Sequence, residues 1–80
     1  MQVTMYKTEH CPMCKVLEPK LRAYCPELVV VLVDDFPNII EELDIFTAPT
    51  IIIWDGSKEV CRVASGNIDV VTKVLKEAGI

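Results

Sequence analysis

The chain has 80 residues, a formal net charge of −4, 51% apolar and 25% charged types, which is ordinary globular composition and excludes a disordered chain. One domain over residues 1–80 is expected, and the acidic balance without clustered Lys or Arg argues against a nucleic-acid partner. No apolar run approaches the roughly 20 residues of a membrane span, and Met1 to Lys7 lack the features of a signal peptide. No membrane partner is therefore expected, and the location is expected to be cytoplasmic.

Val3 to Tyr6 is β-prone and reads as a first strand. Lys7 to His10 is a short loop. Cys11 opens a helix, with Pro12 in the first turn, where a missing N–H costs nothing. Val16, Leu17, Leu21 and Tyr24 recur at helical spacing and predict its apolar face. Pro19 falls inside this stretch and predicts a kink, since it removes a hydrogen bond. The helix should end near Cys25 and Pro26. Leu28 to Val33 is a continuous apolar run, which suits a strand covered on both faces. Asp34 to Pro37 stops it. Asn38, with Glu41 three residues on, has the spacing of a capping box for a short helix carrying Ile39, Ile40 and Leu43. Phe46 to Pro49 is a loop. Thr50 to Trp54 is a third strand, Asp55-Gly56 a turn, and Lys58 to Ala64 a fourth strand of mixed polarity, hence an edge. Gly66-Asn67 breaks the chain before a last helix, with Ile68, Val71, Leu75 and Ala78 on one side and Gly79 past its end. The order βαβ-α-ββα predicts an α/β fold. The first two strands should be parallel with a right-handed crossover, and the last two an antiparallel hairpin.

The four cysteines stand at 11, 14, 25 and 61. A disulfide framework belongs to exported chains, which this one does not resemble. A structural zinc site needs more than one C-x-x-C and one histidine, His10. The C-x-x-C of Cys11 and Cys14 beside a βαβ pattern therefore favours redox chemistry. A helix N-terminus favours negative charge, so Cys11 is the expected thiolate. Cys14 lies one turn on, on the same face and within disulfide reach.

These residues carry a family resemblance over nearly the whole chain. Cys11-Pro12-Met13-Cys14-Lys15, with Pro19 beyond, resembles the active-site helix of thioredoxins. Val33-Asp34-Asp35-Phe36-Pro37 is similar to the segment opening that family's next helix. Ile45-Phe46-Thr47-Ala48-Pro49-Thr50 resembles the stretch ending in its cis-proline, and Ile52 to Gly56 the strand and turn that follow. Gly66 resembles the glycine before the final helix. Pro12 directly after Cys11, and Thr47-Ala48-Pro49, are also similar to glutaredoxins. The chain departs from thioredoxins at three places. Met5 stands where they carry a buried acid, Val30 where a lysine pairs with that acid, and His10 where tryptophan precedes the first cysteine. It departs from glutaredoxins at Lys7 and at Gly66-Asn67-Ile68-Asp69, the positions that help them hold glutathione.

The resemblance implies a minimal thioredoxin fold with a four-stranded mixed sheet flanked by helices. It also implies a dithiol–disulfide oxidoreductase acting on disulfide-containing proteins. Cys11 would be the nucleophile and Cys14 the resolving thiol. His10, where the chain departs from the family, reads either as a group that holds Cys11 as thiolate or shuttles the Cys14 proton, or as a solvated loop histidine. Pro12, Met13, Ala48, Pro49 and Gly66 would meet the substrate. The Ala48–Pro49 bond is expected to be cis, which an X-Pro bond adopts at about 0.5–1 kcal/mol. No metal and no cofactor beyond the Cys11–Cys14 disulfide is expected. The reductant would be a flavoprotein reductase or glutathione, and the protein a monomer. Lys7 reads as a solvated charge or as an attractor of an acidic substrate group. Phe46 and Trp54 read as core or rim packing rather than as a binding platform, and Cys25 and Cys61 as buried or half-buried small hydrophobes or as regulatory thiols. Three other functions remain open: a glutathione-dependent glutaredoxin, a carrier of a soft ion such as Cu(I) on the cysteine pair, and a redox-silent interaction module.

Overall fold

A computed structural model describes all 80 residues. Two strands, β1 (Gln2–Lys7) and β3 (Thr50–Asp55), pair antiparallel at the centre of a four-stranded sheet. β2 (Val29–Leu32) pairs parallel to β1 on one edge, and β4 (Lys58–Val63) antiparallel to β3 on the other. Helix α1 (Pro12–Tyr24) makes the β1–β2 crossover. A 3-10 turn (Val33–Asp35) and the short helix α2 (Asn38–Glu42) lead to β3, and α3 (Ile68–Glu77) ends the fold. This is the mixed α/β architecture expected from the sequence. No helix is long and apolar enough to cross a membrane.

The side-chain alternation of the central strands builds two apolar layers. Val3, Met5, Ile51 and Ile53 pack on Leu17 and Leu21 of α1 and Val71 and Leu75 of α3. Tyr6 and Ile52 turn the other way, onto Val33 and Ile45, with Ile39 and Leu43 alongside. Both faces of β3 are thus covered, which accounts for its unbroken Ile51-Ile52-Ile53 run.

β2 was expected to be covered on both faces. Instead it takes an edge, with Val29 exposed and Val30 to Leu32 half-buried, because β1 and β3 occupy the centre. The apolar face of α1 also differs from the expected one. Cys14, Leu17 and Leu21 are buried, while Val16 is 57% and Tyr24 37% exposed. Val16 adjoins Leu17, and neighbours on a helix point about 100° apart, so they cannot both face the sheet. The helix runs through Pro19, which lies exposed on its outer side. The capping-box expectation for α2 is corrected as well. Pro37 occupies the cap without a side-chain hydrogen bond, and Asn38 is already helical. At α3, by contrast, Asn67 caps the helix by accepting from the Asp69 N–H at 2.9 Å. The β3–β4 hairpin turns at Gly56, whose φ of +64° is one that a side chain disfavours.

Leu21→Ala should cost about 2–5 kcal/mol of stability in urea unfolding, since it opens a cavity among fully buried side chains. Val16→Ala should change stability by less than about 0.5 kcal/mol. Equal losses would show that both faces of α1 are buried.

Candidate active site

The site begins where β1 hands the chain to α1. Cys11 is the N-cap of α1, with extended backbone (φ −129°, ψ 95°), and Pro12 takes the first helical position. Its sulfur accepts the Cys14 N–H at 3.2 Å, where a capping side chain usually offers oxygen. The Cys11 carbonyl accepts the Lys15 N–H at 3.2 Å, the first turn of the helix. Cys11 and Cys14 are joined as a disulfide, with Cα atoms 5.2 Å apart, inside the ordinary span of such a bond. Cys11 is 7% and Cys14 1% exposed, so the pair presents the Cys11 side to solvent.

The loop before β3 closes over the pair. The Ala48–Pro49 peptide is cis, as expected, and Pro49 is buried. The Ala48 carbonyl oxygen lies 3.7 Å from the Cys11 sulfur, near enough to accept from that thiol in the reduced state. The hydroxyl of Thr50 donates to the Thr47 carbonyl at 2.6 Å and fixes the loop from inside. On the other side Met13 leans over Gly66. A Cβ at position 66 would meet the Met13 Cβ at 3.1 Å and its terminal methyl closer still. Glycine serves there because Met13 approaches so closely. The structure thus brings together Cys11, Cys14 and Ala48, and separately Met13 and Gly66. His10 is exposed and lines a shallow recess of ≈ 220 Å³ with Cys11, Pro12 and Lys15.

Beneath the disulfide the floor is apolar. Met5 is fully buried in the same cluster as Cys11 and Cys14, flanked in the sheet by Val30 and Ile51. None of the buried residues of that cluster carries a carboxylate or an ammonium group. No group of three or more His, Cys, Asp or Glu stands close enough to hold a metal ion.

Three ion pairs brace the frame. Lys7, at the end of β1, reaches Glu18 of α1 at 2.7 Å, and Arg22 joins at 3.5 Å. The Lys7 hydrogen bond, and after it Arg22, holds the Glu18 carboxyl below its usual range against some desolvation. Lys7 is therefore neither a free solvated charge nor a free cation at the dithiol. On the far side Arg62 of β4 grips both oxygens of Glu59, at 2.5 and 2.6 Å. It also donates to the carbonyls of Leu43 at 2.7 Å and Asp44 at 3.4 Å. It thereby ties the end of α2, where Asp44 takes φ +52°, to the sheet and steadies the loop that follows.

Phe46 corrects the packing expectation, since it is 87% exposed. Trp54 is half-buried against the second apolar layer, as expected. Phe46 belongs to a groove of ≈ 200 Å³ with Thr8, Val33, Ile40, Ile45 and Ala48. Sequence reasoning missed this groove because its walls come from four separated segments with no common spacing. Cys25 and Cys61 are half-buried free thiols packed on the first layer, which fits the small-hydrophobe expectation.

No family model and no curated protein matches the sequence. Solved structures do match. Thioredoxin 1 of Thermosipho africanus superposes with a TM-score of 0.76 at 25% identity, covering 100% of both chains. Plasmodium falciparum thioredoxin gives 0.87 at 17%, covering 95% of this chain and 83% of its own. Mitochondrial thioredoxin 3 of Saccharomyces cerevisiae gives 0.80 at 23%, covering 95% and 76%. The chain has the thioredoxin fold. That fold, with a cysteine pair joined at the start of α1, supports dithiol–disulfide redox chemistry.

Glu18 and Glu59 are both held below the usual carboxylate range, so their pairs stabilise the fold above the unfolded value of about 4.3. That stability should be lost as the pH falls through the folded values. Lys7→Met should remove part of this acid-side slope in pH-dependent unfolding. The effect should stay under about 1 kcal/mol, because the pair is partly solvated. An unchanged slope would show that the pair contributes nothing in solution.

Met5→Asp should destabilise the fold by roughly 3 kcal/mol or more, since it buries an unpaired charge in an apolar floor. It should also couple the titration of the two thiols to a carboxylate, visible as a second step in the pH profile of Cys11 alkylation. A tolerated, pH-silent variant would show that Met5 does not underlie the dithiol.

Proposed function

We propose that the protein is a cytoplasmic dithiol reductant of protein disulfides, with Cys11 as nucleophile and Cys14 as resolving thiol. The observation that carries the reading is the Cys11–Cys14 bond at the start of α1, with its Cys11 side accessible beside the Ala48 carbonyl. In the reduced protein the Cys14 N–H and the helix dipole stabilise a Cys11 thiolate. That thiolate attacks one sulfur of the substrate disulfide. The substrate S–S bond breaks, and one substrate thiolate leaves. Cys14 then gives up its proton and attacks the Cys11 sulfur of the mixed disulfide, releasing the second substrate thiolate. Two electrons have passed to the substrate, and the protein is left as the Cys11–Cys14 disulfide. No buried carboxylate is available to take the Cys14 proton, so the departing substrate thiolate or water receives it.

The Ala48 backbone supports an extended substrate segment pairing alongside Cys11 as an added strand. Met13 and Gly66 would form the other wall of that approach, and Pro12 its rim. A flavoprotein reductase is the proposed reductant rather than glutathione. Lys7 is engaged by Glu18, and Asn67 is spent capping α3, so the two positions that would hold glutathione are otherwise occupied.

Cys14→Ser should accumulate mixed disulfides with substrate proteins on nonreducing gels, and Cys11→Ser should abolish turnover. Cys25→Ser and Cys61→Ser should leave turnover largely intact, because both are free thiols outside the Cys11–Cys14 bond. An active Cys11→Ser would refute the assignment of roles. Turnover coupled to NADPH through thioredoxin reductase should exceed that through glutathione and its reductase. The reverse order would make the protein a glutaredoxin in function.

A further inference from the structure

The groove beside the dithiol is apolar, open and joined to the redox site. Val33, Ile40, Ile45 and Phe46 line it, and the residue it shares with the site is Ala48, whose carbonyl lies 3.7 Å from the Cys11 sulfur. Phe46 is 87% and Ile40 45% exposed, a large apolar area for water to meet at this place in so small a protein. The charge around it is one-sided. Asp34 and Asp35 follow Val33, Glu41 and Glu42 follow Ile40, and Asp44 precedes Ile45, all five exposed. From Ala23 to Ser57 the chain has no Lys, Arg or His. These five acids outweigh the net charge of −4 for the whole chain, so the rest of the molecule is close to neutral. Arg62 reaches this side from β4 and feels the Asp44 charge, but its donors are taken by Glu59 and two backbone carbonyls.

We propose that this groove selects, in the segment next to the partner's disulfide, a large apolar side chain flanked by lysine or arginine. The assignment rests on the protein-disulfide reading of the dithiol and adds the chemistry of the partner. A segment paired at Ala48 places its neighbouring residues over Phe46 and Ile40. Apolar contact there removes both surfaces from water, and the acidic rim attracts the basic flanks over a distance set by salt.

The test uses short synthetic peptides that share a central phenylalanine and differ only in lysine or glutamate flanks. Linear forms with serine in place of cysteine are titrated into the isotope-labelled oxidised protein and followed by amide shifts. Disulfide-bridged forms are reduced by the pre-reduced protein in single turnovers. The basic peptide should shift the amides of Thr8, Phe46, Thr47 and Ala48, and should bind and react about tenfold better than the acidic one at low salt. The ratio should shrink at about 0.5 M salt. Asp34→Asn combined with Asp35→Asn, Glu41→Gln and Glu42→Gln should collapse the ratio. Phe46→Ser should erase the advantage of the phenylalanine peptide over its alanine analogue. Equal treatment of basic and acidic peptides at low salt, or shifts elsewhere, would overturn the proposal. Self-association of the protein covering the same amides would overturn it too, by naming a second copy as the occupant. Bis(2-hydroxyethyl) disulfide separates the two readings. If the reduced protein fails on that small neutral disulfide, the redox reading falls and this assignment with it. If it reduces that disulfide but does not discriminate between the peptides, the docking assignment alone falls.

Discussion

The contact on which the site depends is the Cys14 N–H donated to the sulfur of Cys11. An α-helix starts with N–H groups that have no partner within the helix, and something outside must accept from them. Here the acceptor is sulfur, so the atom that caps α1 is also one end of the Cys11–Cys14 bond. Pro12 makes this economical, since it removes one donor and holds a helical φ at the first position. The cap also holds the Cys11 sulfur against the first turn, with Cys14 at bonding distance.

Everything around that contact keeps its geometry fixed. The central pairing of β1 with β3 sets Met5, Ile51 and Ile53 as a floor under α1. The same pairing brings the start of β3 level with the end of β1, so the Ala48 carbonyl meets the Cys11 sulfur. Arg62 and Thr50 hold the intervening loop from two directions. A floor of methylenes and sulfur contributes packing and excludes water, but it offers no group to exchange protons with the thiols. His10 lies on the solvent side of the pair, in the recess beside Cys11.

Much of the fold was legible in the chain. The strand and helix order follows from apolar runs broken by Asp55-Gly56 and Gly66-Asn67. Met5 and Val30, read as paired departures from the thioredoxin pattern, are indeed neighbours across β1 and β2. Errors arose where local pattern was ambiguous about direction. Val16 and Leu17 are equally apolar, and only the packing of α1 on the sheet decides which turns inward. The run Leu28 to Val33 looks fully buried in sequence, yet strand order puts its Val29 to Leu32 stretch at an edge, and only Leu28 and Val33 at its ends are buried. Asn38 and Glu41 have capping-box spacing, but Pro37 had already begun the helix.

The sequence by itself determined the reactive pair. Cys11 and Cys14 lie one helical turn apart, and a turn of helix is a local geometry that residue spacing dictates. It likewise determined the parallel crossover, because a helix joins the two strands, and the hairpin, because its connection is short and its turn residues specific. Tertiary structure alone decided what surrounds the pair. Lys7 finds Glu18 across 11 residues, Arg62 finds Leu43 across 19, and Cys11 meets Ala48 across 37. The groove of Val33, Ile40, Ile45 and Phe46 exists only once the sheet has stacked those segments. Such contacts depend on how whole elements pack, and packing couples every residue of an element at once, so no short stretch of sequence carries the information.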